Sequence, residues 1–425
     1  MQHPIIKYPG LLISLLLLLL TGRTAQAQVY PEQYLQQALE NNPGLRAQQL
    51  AWEAAIKQAD IAGSLPDPVL TAGLFTSPME RFMGKQWVDA GLMQMFPWFG
   101  TLERQREVAE KMAESRHHQY REDRNRLFME MTRLWLEMAR KQQERDLVRK
   151  YKKLLEERED LIYSRYQGGM QTQGLALDIH RLEIRLAELQ NREDKLTSDL
   201  RALRESFNLL IGREPGSSIE VPSDLPETQN LPETIQDVSF REFTSHPRLQ
   251  YQEERTRAAR ANQALSRLQT RPMLGIGLQY AWFAPGNAPA QMEGGHMLMP
   301  MVSVSLPVFL NKNRANRDQA ALLFESAQRQ YDEEYVRLQV RYSNLLSDVD
   351  NFLRDRAFYR RQLEITRKTW ELVINAYASG SEGFEEMLSI QDQLLLLEWR
   401  LVENQVDYLM IQAELDELMA RNIFE

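Results

Sequence analysis

Apolar positions along this chain follow two periods that alternate in long blocks. From about Thr101 to Arg165, and again from about Asn313 to Ala376, the pattern is helical. At about 1.5 Å per residue each run is close to 100 Å long if continuous. Each ends in a glycine-tipped turn, Tyr166-Gln-Gly-Gly169 in one case and Tyr377-Ala-Ser-Gly380 in the other. A seven-residue apolar repeat follows each turn. Leu182, Leu189, Leu196, Leu203 and Leu210 recur at strict sevens, with Leu186, Leu200 and Phe207 in the partner positions. After the second turn Leu394, Leu401, Tyr408 and Leu415 do the same, interleaved with Leu397, Ile411 and Leu418. A strict seven imposes left-handed supercoiling against neighbouring helices. Two antiparallel helical hairpins of this length predict a rod or a tube.

The second period is two. In 273–283 Leu274, Ile276, Leu278, Tyr280 and Trp282 share one face, with Gly275, Gly277, Gln279 and Ala281 on the other. Val302, Val304, Leu306 and Val308 likewise oppose Met301, Ser303 and Ser305. Upstream, Val88, Ala90, Leu92 and Phe96 share a face that Gln94 interrupts, and Val69 to Phe75 is a shorter, weaker partner. Strands of about 9–11 residues, apolar on one side and small or polar on the other, fit an outer-membrane barrel. Trp87, Trp98, Trp282 and Phe309 fall near strand ends, where an interfacial aromatic girdle belongs. A pair of hairpins in a soluble sandwich is the alternative, but no further strands are present to cover the apolar face. Four strands are too few to close a barrel, and open edges cannot face lipid. The chain is therefore expected to share its barrel with other copies in a cyclic oligomer, three of which give twelve strands.

The blocks occur twice in the same order. Asn42-Pro43 opens a helix that ends at Pro66-Asp-Pro68, and His246-Pro247 opens one that ends at Arg271-Pro272. Extended regions follow, closed by Phe96-Pro-Trp-Phe-Gly100 and Leu306-Pro-Val-Phe-Leu310, then the long helix, turn and heptad helix. The expected organisation is a first repeat over 28–212, a proline-rich linker over 213–236 and a second repeat over 237–425. Residues 1–27 read as a signal peptide: Lys7, the leucine run Leu11 to Leu20, and Ala25-Gln-Ala27 as a small-x-small cleavage site. That run is too short to span a bilayer as a helix.

The chain has no cysteine, which excludes disulfides, thiolate metal sites and a lipidated cysteine. Its formal charge is −8, and losing Lys7 and Arg23 with the leader makes it more negative still, so a nucleic-acid partner is not expected. With 26% charged residues and no later leucine-rich span, any membrane passage must be built of strands.

The ordered set of landmarks resembles the TolC-type outer-membrane efflux proteins over essentially the whole mature chain. Asn42-Pro43, Phe96-Pro97, Leu306-Pro307 and the paired Tyr-x-x-Gly turns carry the likeness. It implies a mainly α fold with a small β part. In such a fold, two-repeat helical hairpins form a periplasmic α-barrel, and four strands per chain join a trimeric 12-stranded barrel in outer-membrane lipid. It further implies a passive exit duct for small molecules or metal ions, working with a periplasmic adaptor (membrane-fusion) protein and an inner-membrane pump. The glycine turns, Tyr166, Gly168, Gly169, Met170, Tyr377, Gly380 and Ser381, are then the expected periplasmic entrance and adaptor-docking surface. The competing reading is a periplasmic coiled-coil scaffold or adaptor subunit without a pore, although the strands of an adaptor's other domains are absent.

No enzyme constellation and no cofactor motif is present. His117 and His118 are adjacent on a helix, point about 100° apart and read as a solvated face. Met93, Met95, Met299 and Met301 fall in the strand phase that also carries Ser303 and Ser305, and so would face a lumen. Thioethers are soft ligands suited to Cu(I) or Ag(I), and methionine is also a flexible packing residue. The 18 methionines and the Phe-Pro-Trp-Phe-Gly junction are similar to the heavy-metal branch of the family. Glu382, Glu385 and Glu386 follow the second turn only. They fit both an acidic ring at a pore mouth and the capping of the next helix.

Overall fold

The computed structural model describes residues 31–167, 173–221, 225, 240–285, 294–379 and 383–419. The expected leader and most of the expected linker lie outside these residues. The chain divides into two compact units, one drawn from residues 1–43, 125–239 and 341–425, the other from 44–124 and 240–340.

In chain order the elements are α1 (Glu32–Asn41), α2 (Pro43–Ala62), β1 (Val69–Arg81), β2 (Gly84–Phe96), α3 (Thr101–Gln167) and α4 (Gln173–Leu210). A 3-10 turn (Phe240–Ser245) then leads into α5 (Pro247–Leu268), β3 (Met273–Ala284), β4 (Gly295–Ser305), α6 (Leu310–Ser379) and α7 (Phe384–Leu418). The long helices are α3 and α6, of 67 and 70 residues. Pairs three and four residues apart lace their surfaces, among them Arg106–Glu110 at 2.7 Å, Lys111–Glu114 at 2.6 Å and Lys368–Glu364 at 2.7 Å. Exposed pairs of this kind are individually weak. They keep the solvent side of each helix polar, while buried residues such as Trp135 on α3 and Phe352 on α6 hold the other side.

The first unit is a bundle of helical segments. Val148, Tyr151 and Leu155 from α3, Leu182, Leu189 and Leu196 from α4, Leu363 and Tyr377 from α6, and Phe384, Met387 and Leu394 from α7 form one buried cluster. Arg149–Glu193 (2.6 Å) and Lys150–Glu398 (2.9 Å) tie α3 to both heptad helices, and the Arg192 guanidinium lies 3.6 Å from the Trp399 ring centre. The strict sevens hold only part of the way along α4. Past Leu196 the buried positions become Leu200, Phe207 and Ile211, and Leu203 and Leu210 are half-buried. A helix of 3.6 residues per turn drifts about 20° per heptad against a repeat of 3.5 unless it supercoils, so the seam moves to the neighbouring column. Phe207 also joins an aromatic group in which Tyr34 lies 5.4 Å from it edge-on and 5.8 Å from Trp135. Beside that group Asn42, at the break between α1 and α2, donates to the Leu210 carbonyl at 2.9 Å.

In the second unit β1, β2, β3 and β4 form one antiparallel sheet in sequence order. The β2–β3 pairing brings the two halves of the chain together, with Met93 opposite Gly277 and Gln94 opposite Ile276. Strand β1 runs to Arg81, well past the expected end at Phe75. Its ladder breaks between Leu74 and Met79, around Pro78, which has no N–H to donate and is tolerated because β1 is an edge strand. On α5, Pro247 occupies the first turn and His246 caps it, accepting the Arg248 N–H at Nδ1 (3.2 Å).

Candidate functional site: two unlike faces of one sheet

Strand register sorts the side chains of this sheet into two chemical populations. Leu92, Leu278 and Pro300 form one row, Gln94, Ile276 and Val302 another, and Phe96, Leu274 and Val304 a third. This apolar face is open to its surroundings: Leu74 is 80% exposed, Val302 78% and Leu70 72%. Water would penalise such a surface at about 25 cal/mol per Å². Hydrocarbon would not. Trp87 and Trp282 stand toward the hairpin ends of the sheet, with Trp98 and Phe309 beyond its other end. From Leu274 to Trp282 the strand covers roughly 26 Å, about the height of the apolar band of an outer-membrane barrel.

Gln94, the polar interruption expected on this face, donates to the Pro66 carbonyl (2.7 Å) and to the Met95 carbonyl (3.0 Å). It sits at the foot of the sheet and ties β2 to the segment that enters β1.

The opposite face is small, polar and rich in sulfur. Its rows are Asp89, Ala281 and Met297; Gly91, Gln279 and Met299; Met93, Gly277 and Met301; and Met95, Gly275 and Ser303. Gln279 donates to both Asp89 carboxylate oxygens, at 2.8 and 2.9 Å. The Ser303 hydroxyl reaches both Met93 Sδ (3.7 Å) and Met95 Sδ (3.8 Å). All four methionines singled out in the sequence therefore lie on the face that carries Ser303. The Asp89–Gln279 pair and the glycines beneath the sulfurs were not legible as partners, because the residues they meet are about 180 to 190 positions away.

Where the strands meet the helices, a groove of about 840 Å³ is lined by Ile61, Leu65, Pro66, Trp98, Leu102 and Leu268 among others. Gly100, at φ +79°, makes the reversal from strand to α3.

In the other unit, α7 starts after Gly383 with Glu385 and Glu386 in its first turn. Glu385 pairs with Arg181 of α4 at 2.7 Å, and Glu386 is exposed. Two of the three acids thus occupy a helix N-terminus, where their charge is favourable. Tyr377 is buried against Phe384, ring centres 5.8 Å apart. Gly168, Gly169, Met170, Gly380, Ser381 and Glu382 lie outside the described residues, as does the side chain of Tyr166.

His117 and His118 do not form a solvated face. Both are half-buried, and His117 packs on Trp52 of α2 with ring centres 4.5 Å apart. Burial first, then the neighbouring Arg121, lowers both imidazole pKa values below the ordinary 6.5. The unfolded chain therefore binds more protons than the folded one as pH falls below about 6.5, and stability present above that pH is lost on acidification. Thermal midpoints at pH 7.5 and pH 5 should show the drop. The double variant H117Q/H118Q should flatten it, and an unchanged slope would place the pH dependence elsewhere.

Among the described residues no helix is long and apolar enough to cross a membrane. The family model for outer membrane efflux proteins matches residues 34–210 and 243–421. No curated protein matches the sequence significantly. Solved structures do match the fold. The outer membrane protein VceC from Vibrio cholerae is 15% identical, with a TM-score of 0.76 over 92% of this chain and 96% of that one. CusC, described in terms of transmembrane channel formation, is 16% identical with a TM-score of 0.77 over 92% of each chain. The open-state MtrE outer membrane channel of Neisseria gonorrhoeae is 18% identical, with a TM-score of 0.74 over 91% and 88%.

Proposed function

The chain belongs to the outer membrane efflux protein family, and on that premise we propose that it is the passive exit duct of a multi-component efflux pump. In this reading three copies complete a 12-stranded barrel. The observation that carries it is the two-faced sheet. Its apolar side is exposed across all four strands, and its small and polar side is suited to line an aqueous path. Unpaired edges cannot face lipid, so β1 and β4 must pair with other copies. Nothing in such a duct supplies energy. An inner-membrane pump does, a periplasmic adaptor docks at the turns around Gly168, Gly169 and Gly380, and cargo passes from the periplasm to the exterior as small molecules or metal ions.

Purified protein in planar bilayers should give discrete ohmic conductance steps that favour cations. Changing Glu382, Glu385 and Glu386 together to Gln should cut the cation preference, because a threefold ring of acids raises the local cation concentration. High salt should mask the difference by screening. A protein that never conducts, and that leaves the membrane with the periplasmic fraction, is the scaffold of the competing reading.

A further inference from the structure

We propose that Met93, Met95 and Met301, together with Ser303, form a binding site for a soft monovalent cation, Cu(I) or Ag(I), on the small-residue face of the sheet. The inference deepens the duct reading, which it needs only to explain why cargo reaches this face.

Met93 and Met95 share one face of β2, and both sulfurs turn to the same glycine of β3. A Cβ built on Gly275 would lie 2.2 Å from Ser303 Oγ, 2.7 Å from Met95 Sδ and 3.2 Å from Met93 Sδ. Both thioethers therefore rest over one glycine, less than ~6 Å apart, with a shared hydroxyl beside them. One rung away, Met93 and Met301 flank Gly277 across three strands. A Cβ there would lie 2.8 Å from Met93 Cε and 3.0 Å from Met93 Sδ, so that space too belongs to the sulfur. Strands two apart are separated by roughly 9.6 Å. Methionine side chains reaching over an intervening glycine can bring both sulfurs to one ion. The residues concerned are half-buried: shielded, yet reachable from the face.

The donor chemistry then selects the ion. Neutral thioethers are poor ligands for hard or strongly hydrated divalent ions and good ones for d¹⁰ monovalent copper and silver. A site without a carboxylate or thiolate does not trap its ion irreversibly, which suits a path more than a store. Packing alone would be served equally by leucine, and it gives no reason for two glycines to lie beneath the sulfurs.

The test uses the full-length protein in detergent, titrated with Ag(I), with sulfur coordination read by X-ray absorption. One Ag(I) per chain with a sulfur-dominated first shell is expected. M93L/M95L/M301L keeps side-chain volume and should lose at least tenfold in affinity while the oligomer stays intact. M79L/M273L should bind as the unaltered protein does. An unaltered protein that binds no Ag(I), or a triple variant that binds as tightly, overturns the proposal. Conductance without binding removes this site and leaves the duct standing; binding without conductance keeps the site and removes the duct.

Discussion

Leu278→Arg should leave almost no assembled protein in the outer-membrane fraction. Leu278 lies mid-strand in β3, between Leu92 on β2 and Pro300 on β4, with its side chain on the exposed apolar face. An arginine facing lipid near the bilayer midplane costs about 2–4 kcal/mol. A closed ring carries the substitution once per copy, so the penalty multiplies with the number of chains. The adjacent change Gln279→Arg is the control. Its side chain points to the other face, where the Asp89 carboxylate is already within hydrogen-bonding reach of position 279, and assembly should survive. Outer-membrane fractionation with detection of the intact oligomer reads both. If the two variants behave alike, the apolar face does not meet lipid.

Gly277→Val should be the most damaging single substitution on the polar face. Its Cβ would fall 2.8 Å from the Leu92 carbonyl oxygen, which is backbone in the neighbouring strand and cannot turn aside. Either the β2–β3 ladder parts or β3 shifts, and overpacking of this kind costs about 1–3 kcal/mol per chain. The ladder in question joins the two halves of the chain, so the loss should appear as a lower thermal midpoint of the whole assembly. Gly73→Val tests whether glycine loss itself is harmful. A Cβ at Gly73 would meet nothing nearer than 3.8 Å, and the midpoint should hardly move. Equal losses at both positions would show that the close approach at Gly277 is not what matters.

Local periodicity carried most of the fold. Helices of 67 and 70 residues, four strands and the duplicated order follow from spacings within a few turns of chain, where sequence and structure report the same neighbours. What was hidden depends on residues far apart. Nothing near Gln279 announces Asp89, 190 positions away, and nothing near Gly275 announces the sulfurs of Met93 and Met95. The face of each strand was legible, but the register between them was not, and the site lies in the register. His117 was misread for the same reason: its cover, Trp52, comes from another helix. The heptads of α4 were legible as a seam, though not as one that moves columns at Leu200, because the choice between drift and supercoil is made by the partner helices.

The central claim is that this four-stranded sheet closes only by joining other copies. The mass of the protein released intact from membranes in mild detergent tests it most directly. The account predicts a single species of three chains, whereas a stable membrane-inserted monomer would contradict it.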